Sequence, residues 1–195
     1  GVAYADEGVE LRKAGIHLPV MVMNPDENAF EKITEHHLEP ELYSFSLLDS
    51  FDSFLRQEGL DQYPVHIEIE TGMNRLGFSV NEMSKLAEVL RSTSSFKVLS
   101  VFSHLAASEE AANDAFTLQQ YDLFTKAADE LQQQTGFEFM RHIANSAAAV
   151  RHPQLQLDMV RLGIGLYGVD SALSDKLHLQ TVATLKSTIA QLKQV

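Results

Sequence analysis

An arginine interrupts the apolar stretch DMVRLGIGLYGV, residues 158–169, and glycines follow it at once. Burying the guanidinium of Arg161 without a partner would be costly, so it must face an anion or a hydrogen-bond acceptor. One interpretation is a structural ion pair inside the protein, with Glu68, Glu70 or Asp158 as the partner. The other is a hydrogen bond to a nitrogen or carboxylate of a bound ligand. Gly163 favours the second, because a bare backbone lets a phosphate group approach.

A second polar pair lies just upstream, in IANSAAAVR, where Asn145 and Ser146 follow a strand-like run. Either side chain could simply cap a helix by accepting a hydrogen bond from its free N–H groups. Alternatively, a helix N-terminus with a hydroxyl group suits a phosphate. Because Gly163 follows the next strand-like run, the two junctions together favour a phosphate site. His142 lies near the end of the strand-like run before Asn145, and there it could support Arg161.

The loop TGMNRLGF, residues 71–78, follows the strand-like run VHIEIE and contains Arg75 between two glycines. Glu68 and Glu70 alternate in that run, so both carboxylates should point to one face, and Arg75 is their nearest cationic partner. In SVFSHLAAS, His104 stands at the end of another run, where its ring could either pack in the core or contact a ligand.

Composition excludes several classes of function. The net charge of −12 argues against nucleic-acid binding, which needs a basic face. No apolar run is long enough for a membrane span. With no cysteine there is no thiolate metal site, and the histidines show no metal-ligand spacing, so no metal is expected. The absence of cysteine also fits a cytoplasmic location.

Short apolar runs alternate with helical patterns about seven times, which predicts an α/β fold with a parallel sheet. Nearly every run ends in a polar residue: Asn24, Ser44, Glu70, His104, Asn145 and Arg161. In an open sheet such residues would gather at one switch point, whereas every strand of a barrel contributes to one mouth. We therefore predict a (β/α)8 TIM-type barrel, lacking its first βα unit.

The predicted domain organisation has three parts. Residues 1–170 form the barrel domain, residues 171–180 a linker, and residues 181–195 the start of a C-terminal β-domain. The last prediction rests on the β-branched, alternating run TVATLKSTIAQLKQV. Both ends of the sequence look cut, and we expect the chain to be a piece of a longer polypeptide.

Taken in order, the motifs VAYADEGVELRKAGI, PVMVMNP, TGMNRLGF, SHLAAS, ANSAA and DMVRLGIGLYG resemble the barrel domain of alanine racemases. The resemblance spans essentially the whole chain. It implies a pyridoxal 5'-phosphate enzyme that works as a homodimer in the cytoplasm and interconverts L- and D-alanine for peptidoglycan precursors.

The resemblance also assigns roles to individual residues. It implies that Arg161 hydrogen-bonds the pyridine nitrogen of the cofactor and that His142 supports Arg161. The cofactor-binding set that it implies is Arg161, His142, His104, Asn145, Ser146, Gly163 and Ile164. Ser146, Gly163 and Ile164 would hold the phosphate, with Asn145 beside it, and His104 would line the ring. Arg75 would reach the cofactor hydroxyl and the substrate carboxylate.

Because an arginine stays protonated, the pyridine nitrogen that it faces should stay neutral. The ring is then a weaker electron sink, which suits rapid reprotonation of the α-carbon and suppresses transamination. Racemisation needs one base on each face of that carbon.

Neither base is found in this chain. The resemblance places a Schiff-base lysine at the end of the first barrel strand, but no lysine here stands at a strand's C-terminal end. It places the second base, a tyrosine, in the C-terminal β-domain. The chain alone is therefore expected to be inactive. In some relatives a carbamylated lysine positions the motif arginine, and Glu68 stands at that position here; we hypothesise that it supplies the anion that positions Arg75.

Two other functions remain open. One is a broad-specificity amino-acid racemase of the same fold. The other is a non-catalytic pyridoxal-phosphate-binding barrel protein, against which the β-rich tail counts.

Overall fold

The computed structural model describes residues 1–170 and 177–193. Within those residues the strands are β1 (Met21–Val22), β2 (Glu39–Leu42), β3 (Tyr63–Glu70), β4 (Phe78–Ser79), β5 (Phe96–Phe102) and β6 (Met140–His142). The α-helices are α1 (Ala5–Lys13), α2 (Phe30–Glu35), α3 (Phe45–Glu58), α4 (Met83–Arg91), α5 (Asp114–Thr135) and α6 (Ser146–Arg151). Short 3₁₀ helices span Glu27–Ala29, Val80–Glu82, Ala111–Asn113, Pro153–Leu155 and Ile164–Tyr167.

All strand pairs are parallel, and the strands follow one another in the order β1-β2-β3-β5-β6. Strand β4 pairs separately with the end of β3, and Val2 forms an isolated bridge with Val22. Helices connect successive neighbours on this path, as is typical of parallel strands. This is the arrangement of an incomplete α/β barrel, and the predicted fold class is confirmed.

The pairing of β3 with β5 contains one irregularity that decides which side chains face inward. Val65 pairs with Val98, but the next residue, His66, pairs with Ser100, so that Leu99 is an extra residue on β5. A bulge of this kind lets the following residues change their facing relative to the neighbouring strand. Beyond it, the side chains of His66 and Ser100 lie on the same face.

Local sequence explains where the helices begin and end. In α3, the Ser44 side chain accepts a hydrogen bond from the backbone N–H of Leu47, which caps the helix. Gly59 ends the same helix in the left-handed conformation, at φ 67°. The buried residues of α3 are Leu47, Leu48, Phe51 and Leu55, which recur at helical spacing and form one apolar face. Helix α5 begins at Asp114 and ends at Thr135, before Gly136 in the left-handed conformation.

The structure has no strand in the apolar stretch over residues 158–169, although the sequence pattern predicts Arg161 at the end of a strand-like run. Arg161 donates its backbone N–H to the carbonyl of Ala144, and Asp158 donates to the carbonyl of Arg141, but no strand forms. The segment then turns into the 3₁₀ helix Ile164–Tyr167. The closely spaced glycines are the physical reason, because they lower the tendency to stay extended.

The predicted linker and β-domain lie partly outside the described residues. Residues 171–176 and 194–195 are outside the described residues. Residues 177–193 carry no helix or strand, and most of their side chains are exposed. A β-domain beginning at residue 181 therefore stays a prediction. In the described part of the chain, no helix has the length and apolar character to cross a membrane.

Candidate functional site

Arg161 lies where the segment after α6 runs beside the end of β6. Its Nη1 atom donates to Nδ1 of His142 at 2.6 Å, and its Nη2 atom donates to the carbonyl of Ser103 at 2.6 Å. The guanidinium also lies over the ring of Phe102, 5.1 Å from its centroid, and that ring stacks on His142. Neutral acceptors and an aromatic face thus hold the cation.

Two histidines beside Arg161 are held in their neutral form. Burial, and then the positive charge of Arg161, lower the pKa of His142 to about 3. The same causes lower the pKa of His104 to about 4. His104 Nδ1 lies 3.4 Å from Arg161 Nη2. At neutral pH, Arg161 is consequently the cation of this cluster, and the two rings can accept its hydrogen bonds.

One donor of Arg161 has no partner in the described part of the chain. Across the described residues no hydrogen-bond partner is found for its Nε atom; its bonds all use Nη1 and Nη2. Arg161 borders a cavity of about 1290 Å³ at the carboxyl ends of the strands. The cavity's lining also includes Arg75, His104, Asn145, Ser146, Gly163 and Ile164. Six of the seven residues predicted to hold cofactor, together with Arg75, therefore line one cavity, and His142 lies behind Arg161.

Ser146 and the glycine segment meet at one corner of this cavity. The Ser146 hydroxyl accepts hydrogen bonds from the backbone N–H groups of Gly163, at 3.0 Å, and Gly165, at 3.3 Å. Asn145 caps α6, its side chain accepting from the N–H of Ala148 at 3.0 Å. A Cβ built on Gly163 would have no heavy atom within 4 Å. The corner therefore presents a hydroxyl, backbone N–H groups and free space, which suits a phosphate.

The TGMNRLGF loop is shaped by Glu70 rather than by Glu68. The Glu70 carboxylate accepts hydrogen bonds from the backbone N–H groups of Gly72 and Arg75. Gly72 has φ 140°, and a Cβ there would meet the Phe116 ring at 2.8 Å. The loop thereby carries the exposed Arg75 to the rim of the cavity. The alternation suggested a common role for Glu68 and Glu70, but only Glu70 bonds to this loop.

Glu68 has an unexpected neighbour, Glu41 on β2. Glu41 is fully buried and Glu68 is 3% exposed, and the two side chains are within hydrogen-bonding reach. Burial, and then the negative charge of Glu68, raise the pKa of Glu41. One proton shared by the pair leaves a single negative charge, whose field reaches Arg75 and Arg161. No ion pair joins Glu68 to Arg75 within residues 1–170 and 177–193, so its positioning role stays a prediction.

The residues that sequence analysis missed lie on the inward faces of β2, β3 and β5. They are Glu39, Glu41, His66 and Ser100. A weak signal was present, since polar residues two positions apart in a buried strand share one face. The sequence nevertheless does not show which strands become neighbours, or that a bulge brings His66 beside Ser100.

Lysines occupy positions consistent with the sequence analysis. Lys13, Lys32, Lys85 and Lys126 are in helices, and Lys97 is the second residue of β5. Within the described residues, none stands at a strand's carboxyl end.

Comparison with known proteins places these features in a family. Residues 1–171 match the family described as "Alanine racemase, N-terminal domain". The alanine racemase of Synechocystis sp. is 35% identical over 200 residues, covering 100% of this chain and 53% of the relative. That of Carboxydothermus hydrogenoformans is 34% identical, with 100% and 53% covered. The chain thus spans about half the length of the curated relatives that it matches.

Solved structures agree. The alanine racemase of Clostridium difficile 630 superposes with a TM-score of 0.84 at 30% identity, covering 92% of this chain and 47% of that one. Its complex with cycloserine gives a TM-score of 0.83 at 30% identity, with 92% and 50% covered. The Bartonella henselae alanine racemase, solved with covalently bound pyridoxal phosphate, shares the fold at 24% identity and a TM-score of 0.80, with 92% and 48% covered. With its fold and its motifs both matched, this chain belongs to the alanine racemase N-terminal domain family.

Proposed function

We propose that this chain supplies the cofactor-binding half of a pyridoxal-phosphate-dependent alanine racemase, which interconverts L- and D-alanine. The observation that carries the proposal is the arrangement of Arg161 beside two neutral histidines, on the lining of the cavity, with an Nε donor that has no partner among the described residues. This is a cationic donor suited to an uncharged aromatic nitrogen.

The residues present fit pyridoxal phosphate at both of its polar ends. Arg161 Nε would donate to the pyridine nitrogen. The Ser146 hydroxyl and the backbone N–H groups of Gly163 and Ile164 would hold the phosphate, at the corner where Ser146 already accepts from Gly163. His104 would lie against the ring, and Asn145 would fix the start of α6 beside the phosphate.

The chemistry that the cofactor supplies is an electron sink that makes the α-proton of a bound amino acid removable. This chain's own residues bind and orient. Arg161 remains protonated beside its neutral neighbours and so keeps the nitrogen that it faces uncharged. Arg75, at the cavity rim, would bind the substrate carboxylate, with Glu68 as the nearby anion. None of these residues exchanges a proton with the substrate.

The two bases are assigned by resemblance alone, as a lysine and a tyrosine that no residue of this chain matches. We therefore expect the chain alone to bind the cofactor and to leave alanine unchanged. The homodimer, the role in peptidoglycan precursor synthesis and the cytoplasmic location likewise remain proposals drawn from the family.

Two measurements test the proposal. The first is binding of pyridoxal phosphate to residues 1–195, followed by the cofactor's absorbance, for the unsubstituted chain and for Ser146→Ala and Arg161→Gln. Both variants should bind more weakly, while Ser94→Ala, at an exposed serine away from the cavity, should bind as the unsubstituted chain does. Equal binding by all four would contradict the proposed site.

The second measurement is racemisation by the intact protein, followed by loss of optical activity from L-alanine and from a panel of other L-amino acids. Turnover confined to alanine supports the proposal, and similar turnover across the panel would identify a broad-specificity racemase. Cofactor binding without turnover of any of them would identify a non-catalytic binding protein.

A further inference from the structure

Behind Arg161, four successive hydrogen bonds cross the inward face of the sheet. Arg161 Nη1 lies 2.6 Å from His142 Nδ1, and His142 Nε2 lies 2.9 Å from the Ser100 hydroxyl. The same hydroxyl lies 2.6 Å from His66 Nδ1, and His66 Nε2 lies 3.0 Å from a carboxylate oxygen of Glu39. Strands β2, β3, β5 and β6 thus contribute one residue each to a continuous series of hydrogen bonds that begins at Arg161.

The first bond fixes the direction of the second. A guanidinium can only donate, so His142 Nδ1 must accept. A neutral imidazole that accepts at Nδ1 carries its proton on Nε2, so His142 donates to the Ser100 hydroxyl. Burial and the charge of Arg161 keep His142 neutral by lowering its pKa.

For the remaining two bonds we infer the directions that continue this order. Because the Ser100 oxygen already accepts from His142, its own hydrogen is free to go to His66 Nδ1. His66 then carries its proton on Nε2 and donates to the Glu39 carboxylate. Three of the members are buried: His142 and Ser100 are 0% exposed, and His66 is 4% exposed.

We propose that Ser100, His66 and Glu39 are positioning residues for Arg161, which they fix through His142 by a one-way chain of hydrogen bonds ending at a carboxylate. This chain, from Arg161 to Glu39, is called the Arg161 relay below. The inference rests on the proposed function, since its purpose is to aim the Arg161 Nε donor at the cofactor.

The relay disfavours one tautomer of His142, the one with its proton on Nδ1. If His142 moved its proton to Nδ1, that N–H would face the N–H of Arg161 across 2.6 Å, donor against donor. The guanidinium would have to turn, and its Nε atom would turn with it. The acceptor that Ser100 offers to His142 Nε2 is what disfavours this tautomer, and Ser100 can offer it because its own hydrogen is taken by His66.

The charge at the end of the relay is separable from its geometry. Glu39→Gln keeps an oxygen that can accept from His66 Nε2 but removes the negative charge, whereas Glu39→Leu removes both. If orientation is what matters, glutamine preserves the relay and leucine breaks it.

The test is the protonation state of the two histidine rings in the intact protein before cofactor is added, read from the ¹⁵N chemical shifts of labelled histidine. Signals are assigned by their loss in His66→Gln and His142→Gln. Both rings should be neutral with the proton on Nε2. In Ser100→Ala the His142 signals should shift toward a mixture of tautomers, and Glu39→Leu should shift those of His66. Glu39→Gln should leave both nearly unchanged.

A second readout follows function. Ser100→Ala should weaken pyridoxal-phosphate binding by about threefold to tenfold, the value of one hydrogen bond, and Ser100→Thr, which keeps a hydroxyl, should restore it. Ser95→Ala is the matched control, since Ser95 is 1% exposed but lies at the opposite end of β5.

A proton on His142 Nδ1 in the unsubstituted protein would overturn the relay. So would His142 signals that Ser100→Ala leaves unchanged. Should Ser100→Ala fail to fold, Glu39→Leu, at a partly exposed position, keeps the test decisive. The ring tautomers need neither cofactor nor turnover, so a protein with an intact relay and no racemase activity would contradict only the proposed function.

Discussion

The distance of 2.6 Å between Nη1 of Arg161 and Nδ1 of His142 fixes the protonation of the histidine as well as its position. The guanidinium has no acceptor, so the fully buried imidazole accepts at Nδ1 and is neutral. A second proton on that ring would lie against a permanent cation, inside the protein.

This relationship predicts that the protein loses stability in acid through His142. Its folded pKa of about 3 lies below the unfolded value of 6.5. The unfolded chain therefore takes up this proton first, and the free energy of unfolding falls as the pH drops from 6.5 toward 3. The steepest slope for one histidine is about 1.4 kcal/mol per pH unit. Urea unfolding at a series of pH values should show a shallower slope in His142→Gln.

The exposed His17 provides the control for this prediction, because His17→Gln leaves the buried rings in place. Equal slopes in the unsubstituted protein and in His142→Gln would show that the imidazole does not resist protonation.

Glu41 predicts the opposite dependence at higher pH. Its folded pKa is raised, so its contribution to stability is complete below the unfolded value of 4.5 and is lost as the pH rises toward the folded value. Glu41→Gln cannot ionise, and its amide can still donate to Glu68. The variant should therefore gain stability relative to the unsubstituted protein from acidic to alkaline pH, measured by urea unfolding.

Glu10→Gln, at an exposed position, should show no such trend. A constant difference between Glu41→Gln and the unsubstituted protein at every pH would mean that Glu41 is already ionised in the folded protein.

The two acids of the pair should differ in their effect on the reaction. Glu68 carries the negative charge that acts on Arg75, so Glu68→Gln should raise KM for alanine in the intact protein with less effect on kcat. A charge interaction of about 1 kcal/mol corresponds to roughly a fivefold change in KM. Steady-state kinetics at neutral pH should show this increase in Glu68→Gln and a smaller one in Glu41→Gln. Unchanged substrate affinity and turnover in Glu68→Gln would refute the positioning role.

Two glycines in left-handed conformations should differ sharply in their tolerance of alanine. Gly77 has φ 114°, and its Cβ would stand 2.7 Å from the backbone nitrogen of Glu70. Gly59 has φ 67°, and its Cβ would have no heavy atom within 4 Å. Gly59→Ala should cost about 1 kcal/mol of stability through backbone strain alone. Gly77→Ala should cost at least twice as much, and thermal unfolding measures both; equal losses would mean that the loop yields freely.

Much of the fold could be predicted because its signals are local. Helix α5 begins with an acidic residue, has an apolar face at helical spacing, and ends at Gly136 in the left-handed conformation. Such features depend on neighbours along the chain. The segment around Arg161 was interpreted wrongly for the same reason. Its apolar residues suggested a strand, but its conformation depends on hydrogen bonds to the end of β6, which is distant in sequence.

The site was predictable in so far as polar residues stand at the carboxyl ends of strands. Parallel strands bring those ends together whatever the detailed register, so Arg75, His104, Ser146 and Arg161 meet as expected. The relay was not predictable, because it lies deeper and depends on which residue of β3 faces which residue of β5. Glu41 was missed for a related reason: an acid in the short run EPEL, which also holds Glu39, is typical of an exposed segment until its neighbours across the sheet are known.

The extra residue on β5 has a consequence for how such a site could change over generations. Val98 lies opposite Val65 on β3, and Ser100 lies opposite the next residue, His66. Because of the bulge at Leu99, Val98 and Ser100 therefore face opposite sides of the sheet although they are two positions apart. Regular pairing that kept Leu99 would place Leu99 opposite His66 and Ser100 opposite Ile67, whereas deletion of Leu99 would keep Ser100 opposite His66 without a bulge. The pairing of Ser100 with His66 is thus open to origin by loss of one codon as well as by a bulge, a kind of change that scanning by substitution never samples.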